Sequence, residues 1–205
     1  MEIDELKTVW AKYDKKLTEN LKLNGELLRK MNLDKSKREM NTPLNSEIMG
    51  VVIGGIFLAF FLSATLRFSG EFKFFISGIL TNAICIIITA LSIKKIKLLS
   101  SIDYYNSSIV DLQKSILNFK RILIQYKKVE LIGGFFLAIV MSPILVKALR
   151  NVDVYTNPWR YAGAAIFALI VGYPIGIWMY KNWYEKKIQN TEQFLKEIEK
   201  FEKED

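Results

Sequence analysis

Four stretches of this chain carry no charged side chain, and each approaches or reaches the length a helix needs to cross a bilayer. They cover residues 48–66, 74–93, 131–146 and 161–180. About 18 or more consecutive apolar residues signal a spanning helix. Buried helices of soluble bundles average about 11–12 residues and are apolar on one side only. The expected fold class is therefore all-α and integral to a membrane. Four transmembrane helices form two hairpins, joined to cytoplasmic amphipathic or coiled-coil helices. The third run is the short one: 16 residues rise about 24 Å against a hydrocarbon core of about 30 Å. Lys147 snorkelling outward would let Ala148 and Leu149 complete it. Pro143 is expected to kink its last turns.

The first and third runs are near-copies. Residues 53–66 align with 132–145 without a gap, and eight of the fourteen pairs are identical, including Gly54-Gly55 with Gly133-Gly134. This predicts a duplicated hairpin. The domain reading is a cytoplasmic helix and hinge at 1–47, hairpin one at 48–93, a cytoplasmic segment at 94–130, hairpin two at 131–180 and a tail helix at 181–205.

Charge orients these parts. Of 29 Lys and Arg, 24 lie before the first run, in the middle loop or in the tail. The positive-inside tendency then places both termini and the middle loop in the cytoplasm. The same topology accounts for the net charge of +8, so no nucleic-acid partner is read from it. Met1 is followed by Glu2, Asp4 and Glu5, so no cleaved leader is expected. Cys85 lies inside the second run and reads as a small buried apolar residue.

Small residues recur at helical spacing: Gly50 with Gly54, Gly55 with Ala59, Gly134 with Ala138, and Gly172 with Gly176. With Gly133, they are candidates for close helix packing in lipid. Asn82, the one amide in mid-span, is expected to bond a neighbouring helix. Trp159 and Tyr161 open the fourth run, and Trp178, Tyr180, Trp183 and Tyr184 close it, as interfacial anchors. Asn157-Pro158 reads as a helix start.

Residues 3–31 read as heptads. Ile3, Trp10, Leu17, Asn24 and Met31 share one seam position, and Leu6, Tyr13, Asn20 and Leu27 share the other. A seam Asn fixes register and partner number at a cost in stability. Ile3, Leu6, Trp10, Tyr13, Leu17, Asn20, Asn24 and Leu27 are the candidate partner-binding residues, with a cytoplasmic protein as the expected partner and a homodimer as a further expectation. The middle loop carries a second stripe: Ile102, Tyr105, Ile109, Leu112, Ile116, Phe119, Leu123 and Tyr126. A single helix there would lie along the membrane surface; alternatively it breaks near Asn106-Ser107-Ser108, with serine capping a new helix. The tail adds Ile188, Leu195 and Ile198. Residues 32–47, with Thr42-Pro43 and Asn45-Ser46-Glu47, read as a hinge and helix start.

The chain has no histidine and one cysteine. That removes histidine acid–base chemistry and thiolate clusters, and no catalytic, cofactor-binding or metal-ligating residue is nominated. Glu47 and Glu130 are the best-placed acidic pair, each at the cytoplasmic start of a run. Helix N-termini would account for them.

The pattern Leu6-Lys7, Trp10, Tyr13, Lys16-Leu17, Leu23-Asn24, Leu27-Leu28-Arg29-Lys30-Met31-Asn32 and Lys35-Ser36-Lys37-Arg38-Glu39 resembles the opening of an uncharacterised family of bacterial four-span inner-membrane proteins, often encoded beside extracytoplasmic-function sigma factors. The resemblance covers about the first forty residues and the span count. The family has no assigned catalytic residues to transfer, and this chain has no recognisable zinc anti-sigma motif. The resemblance implies a non-enzymatic, membrane-anchored regulator or scaffold whose cytoplasmic helices bind a protein, with a sigma factor as candidate. The alternative is a small channel or transporter built on the duplicated hairpin.

Overall fold

The computed structural model describes residues 3–156 and 158–204. Side chains within 3–6, at 8, at several positions of 158–169, and at 203–204 lie outside the description, as does Asn157. The described residues form helices and short connections, with no strand among them. The helices are α1 (Ile3–Arg67), α2 (Phe72–Ser100), α3 (Ile109–Arg150), α4 (Pro158–Tyr180) and α5 (Lys186–Glu204). A five-residue π-turn, Lys181–Glu185, joins α4 to α5, and a 3-10 turn, Val154–Thr156, precedes α4. Three of the helices, α1, α2 and α3, are long and apolar enough to cross a membrane. The fourth apolar run lies on α4.

The hinge expected at 32–47 is absent. α1 runs unbroken for 65 residues with Pro43 inside it. Proline forfeits one backbone hydrogen bond, but packing holds the helix on both sides of it. Leu33, Ser36, Met40 and Glu47 are all buried, and Leu44 packs on the same core.

The middle loop breaks rather than continuing as one surface helix. α2 ends at Ser100, and the chain turns before α3 begins after Ser108. The Ser108 Oγ accepts from the Asp111 N–H at 3.1 Å and donates to Asp111 Oδ2 at 2.7 Å, a serine N-cap with its carboxylate in the first turn. α3 then continues through Pro143 to Arg150, where Asn151 closes it in the left-handed region at φ 53°. The helix therefore does not stop at its apolar run. Lys147 bonds Glu71, which precedes the start of α2, from near the end of α3 at 3.0 Å.

Two cores result. In the larger, Ile109, Leu112, Ile116, Phe119 and Leu123 of α3 interlock with Ile188, Leu195 and Ile198 of α5 and with Leu33 and Met40 of α1. The 109–123 part of the middle stripe and the tail stripe are the faces that meet here, whereas Tyr105 is exposed. Ion pairs rim the core, including Lys120 to Glu192 at 2.7 Å and Lys187 to Glu39 at 3.0 Å. The smaller core lies at the other end of the apolar runs, where Phe61, Ala64 and Phe68 of α1 and its outer turn meet Phe74 and Ile144.

Candidate functional site

Between the two cores, at the end of the apolar runs nearer the larger core, lies a buried polar cluster. Glu47 of α1, Lys95 of α2, Glu130 of α3, Tyr180 at the end of α4 and Tyr184 of the π-turn each contribute one side chain. Lys95 is 2% exposed and Glu47 3%, while Glu130 retains 14%. The Lys95 ammonium contacts Glu47 Oε1 directly and stands 2.7 Å from Glu130 Oε1. That second contact is ionic and not aligned as a hydrogen bond. Tyr184 donates to Glu47 Oε1 at 2.6 Å, and Tyr180 donates to Glu130 Oε2. The two phenol rings stack with centroids 5.0 Å apart, and the Lys95 ammonium lies 5.6 Å from the Tyr184 ring centre.

Tyr180 and Tyr184 are four residues apart and so share one helix face. Between them the helix is locally widened: the Lys186 N–H bonds the Lys181 carbonyl, an i→i+5 closure. Such turns concentrate at functional sites. Burial, the neighbouring Glu47 charge and the bond to Glu47 all push the Tyr184 phenol up, so it stays a donor. Two carboxylates share one ammonium, and the phenols supply the remaining donors. A lone buried charge would be far costlier than this paired arrangement.

The sequence reading found Glu47 and Glu130 but gave them a different cause. Neither is at a helix N-terminus: both lie inside continuous helices, so the helix dipole does not account for them. The sequence carries no separate signal for Lys95. Its neighbour Lys94 is exposed, and the α2 register alone distinguishes the two. Tyr180 and Tyr184 are not interfacial anchors; both are buried, whereas Trp159, Trp178 and Trp183 are exposed. The Tyr161 side chain lies outside the description.

The heptad seam is separate from this cluster. The backbone of Ile3 and Leu6 opens α1, and their side chains lie outside the description. Trp10, Tyr13, Leu17, Asn20, Asn24 and Leu27 are all exposed, Trp10 at 69%. Packing of α5 on α1 reaches Gly25, beside the Phe201 ring. Every side chain from Val9 to Asn24 is exposed, so neither α3 nor α5 covers this arm.

The small residues divide. A Cβ on Gly54 would press on Thr89 Oγ1 at 2.8 Å, one on Gly133 would touch Ile88 at 3.8 Å, and one on Gly176 would touch Leu131 at 3.4 Å. Gly50, Gly55, Gly134 and Gly172 have nothing within 4 Å. The closest approach is at Gly78, where a Cβ would collide with Thr65 Oγ1. Beside it, Asn82 donates to Thr65 Oγ1 at 3.2 Å, joining α2 to α1.

Among the described residues, no group of three or more His, Cys, Asp or Glu is arranged to hold a metal. Comparison with family models, curated proteins and solved structures finds no match to this chain.

Proposed function

We propose that this chain is a non-enzymatic, four-span inner-membrane protein with both termini in the cytoplasm, and that it regulates or scaffolds a cytoplasmic protein through its N-terminal arm. The observation that carries this reading is the uncovered apolar seam from Trp10 to Leu27. The arm rises about 33 Å beyond the bundle, and helices in proteins draw most of their stability from packing of such a face. A partner covering the seam stabilises it. A sigma factor is the candidate suggested by the N-terminal resemblance, and a second copy of the chain is the further candidate.

The buried cluster fits the same reading. It ties all four proposed spans to the cytoplasmic bundle, so a partner on the arm and a change in the membrane act on one rigid connection. Affinity capture of the intact chain from solubilised membranes tests it. The seam substitutions Trp10→Asp and Leu17→Asp should lose the captured protein while the chain stays in the membrane; retention by both would overturn the reading.

One observation favours a second reading, a small channel or transporter on the duplicated hairpin. Ionisable side chains buried among membrane helices mark transport paths in many such proteins, and Lys95, Glu47 and Glu130 lie at that edge. Solute flux through liposomes holding the chain, abolished by Lys95→Met, would support this reading.

A further inference from the structure

Among the described residues, α4 packs on α3 and on no other long helix. The seam between them is not closed. A cavity of about 310 Å³ lies there, walled by Glu130, Leu131, Gly134 and Ala138 of α3 and by Gly172 and Gly176 of α4. A second, of about 350 Å³, shares Leu131, Phe135 and Tyr173 with it and ends at Lys128. Each is near the lower end of the roughly 300–1,000 Å³ range of ordinary ligand pockets. Added Cβ atoms at Gly134 and Gly172 would meet nothing within 4 Å. These glycines keep the groove open instead of drawing the helices together.

We propose that this groove holds an acyl chain of an anionic phospholipid, with its phosphate against the Lys128 ammonium. The proposal rests on reading α3 and α4 as spans. The described walls, between Leu131 and Ala138 and between Gly172 and Gly176, are mostly apolar, and the charged residues collect at their cytoplasmic end. There Glu130 is engaged by Lys95 and Tyr180, and Lys127 pairs with Glu185 at 2.7 Å. Lys128 is exposed and, among the described residues, has no ion-pair partner. The exposed Lys94, Lys97, Lys181 and Lys186 follow the ends of the second and fourth apolar runs, a surplus of positive charge that favours an anionic headgroup over a zwitterionic one. Because Glu130 lines the groove and also holds Lys95, an occupant would touch the charged cluster directly.

The test uses the full chain purified in detergent, titrated with phosphatidylglycerol, phosphatidylcholine or glycerol phosphate, and read by native mass spectrometry and thermal melting. Phosphatidylglycerol should form a one-to-one adduct and raise the melting temperature more than phosphatidylcholine does. Lys128→Gln should weaken the phosphatidylglycerol adduct about fivefold, the effect of one juxtamembrane lysine, and leave phosphatidylcholine unchanged. Gly134→Leu should remove both adducts while lipid-free melting stays at the parental value. Equal binding of the two lipids, full retention by Gly134→Leu, or equal binding of free glycerol phosphate would overturn the proposal. Flotation with vesicles separates the two failures: a chain that does not float contradicts the membrane reading itself, and one that floats without these differences contradicts only the lipid site.

Discussion

A lysine ammonium shared by two carboxylates away from water is stable only while all three partners are present. Removing Lys95 leaves Glu47 and Glu130 facing each other with phenol donors alone. Loss of one partner of a buried pair costs about 3–5 kcal/mol, so Lys95→Met should melt far below the parent in detergent. The triple change Glu47→Gln, Lys95→Met, Glu130→Gln should recover a large part of that loss. A parental melting temperature for Lys95→Met alone would show the cluster to be solvated. Alkali offers a second probe at this scale. Burial holds the Tyr104 and Tyr184 phenols above the ordinary value of 10.0. Their contribution is therefore fully present below pH 10 and lost as pH rises past it, because the unfolded chain then ionises and the folded one does not. Each should add a slope of about 1.4 kcal/mol per pH unit, and Tyr104→Phe or Tyr184→Phe should flatten the fall of melting temperature above pH 10.

Elements were legible where a periodic face had a partner within the same chain. The stripe from Ile109 to Leu123 and the stripe Ile188, Leu195 and Ile198 were both visible as spacing, and they meet in the cytoplasmic core. Element ends were less legible. Pro43 reads as a breaker because local rules weigh a lost hydrogen bond, and the packing that outweighs it at Leu33 and Met40 comes from distant segments. Tyr180 and Tyr184 share a helix face by their four-residue spacing, but the spacing does not say that the face meets Glu47 and Glu130 rather than the membrane interface. Lys95 could not be told from Lys94 without knowing which face of α2 meets α1 and α3. The break before α3 was one of two readings, and the Ser108 cap carries it. Ser108→Ala should destabilise that helix start by about 1 kcal/mol and speed amide exchange at 109–112; unchanged exchange there would mean the cap does not hold the helix start.

At the scale of the molecule, three helices among the described residues have the length and composition to cross a membrane, and the proposed topology adds α4 as the fourth. Cysteines placed at Lys12 and Lys114 should be shielded from an impermeant reagent in intact cells, and those at Ser69 and Asp153 should be labelled. Labelling at Lys12 would invert the orientation. In that topology the cluster at Glu47, Lys95 and Glu130 marks the inner edge of the membrane, and the arm stands free in the cytoplasm. The most direct test of this account is site-specific photo-crosslinking in intact cells, with a crosslinker at the seam positions Tyr13 and Leu17 and, as a control, at Lys15 and Lys22 on the opposite face. The account predicts adducts to one defined cytoplasmic protein, or to a second copy of the chain, from Tyr13 and Leu17 and not from Lys15 or Lys22. Equal labelling from both faces, or adducts from the seam to lipid alone, would contradict it.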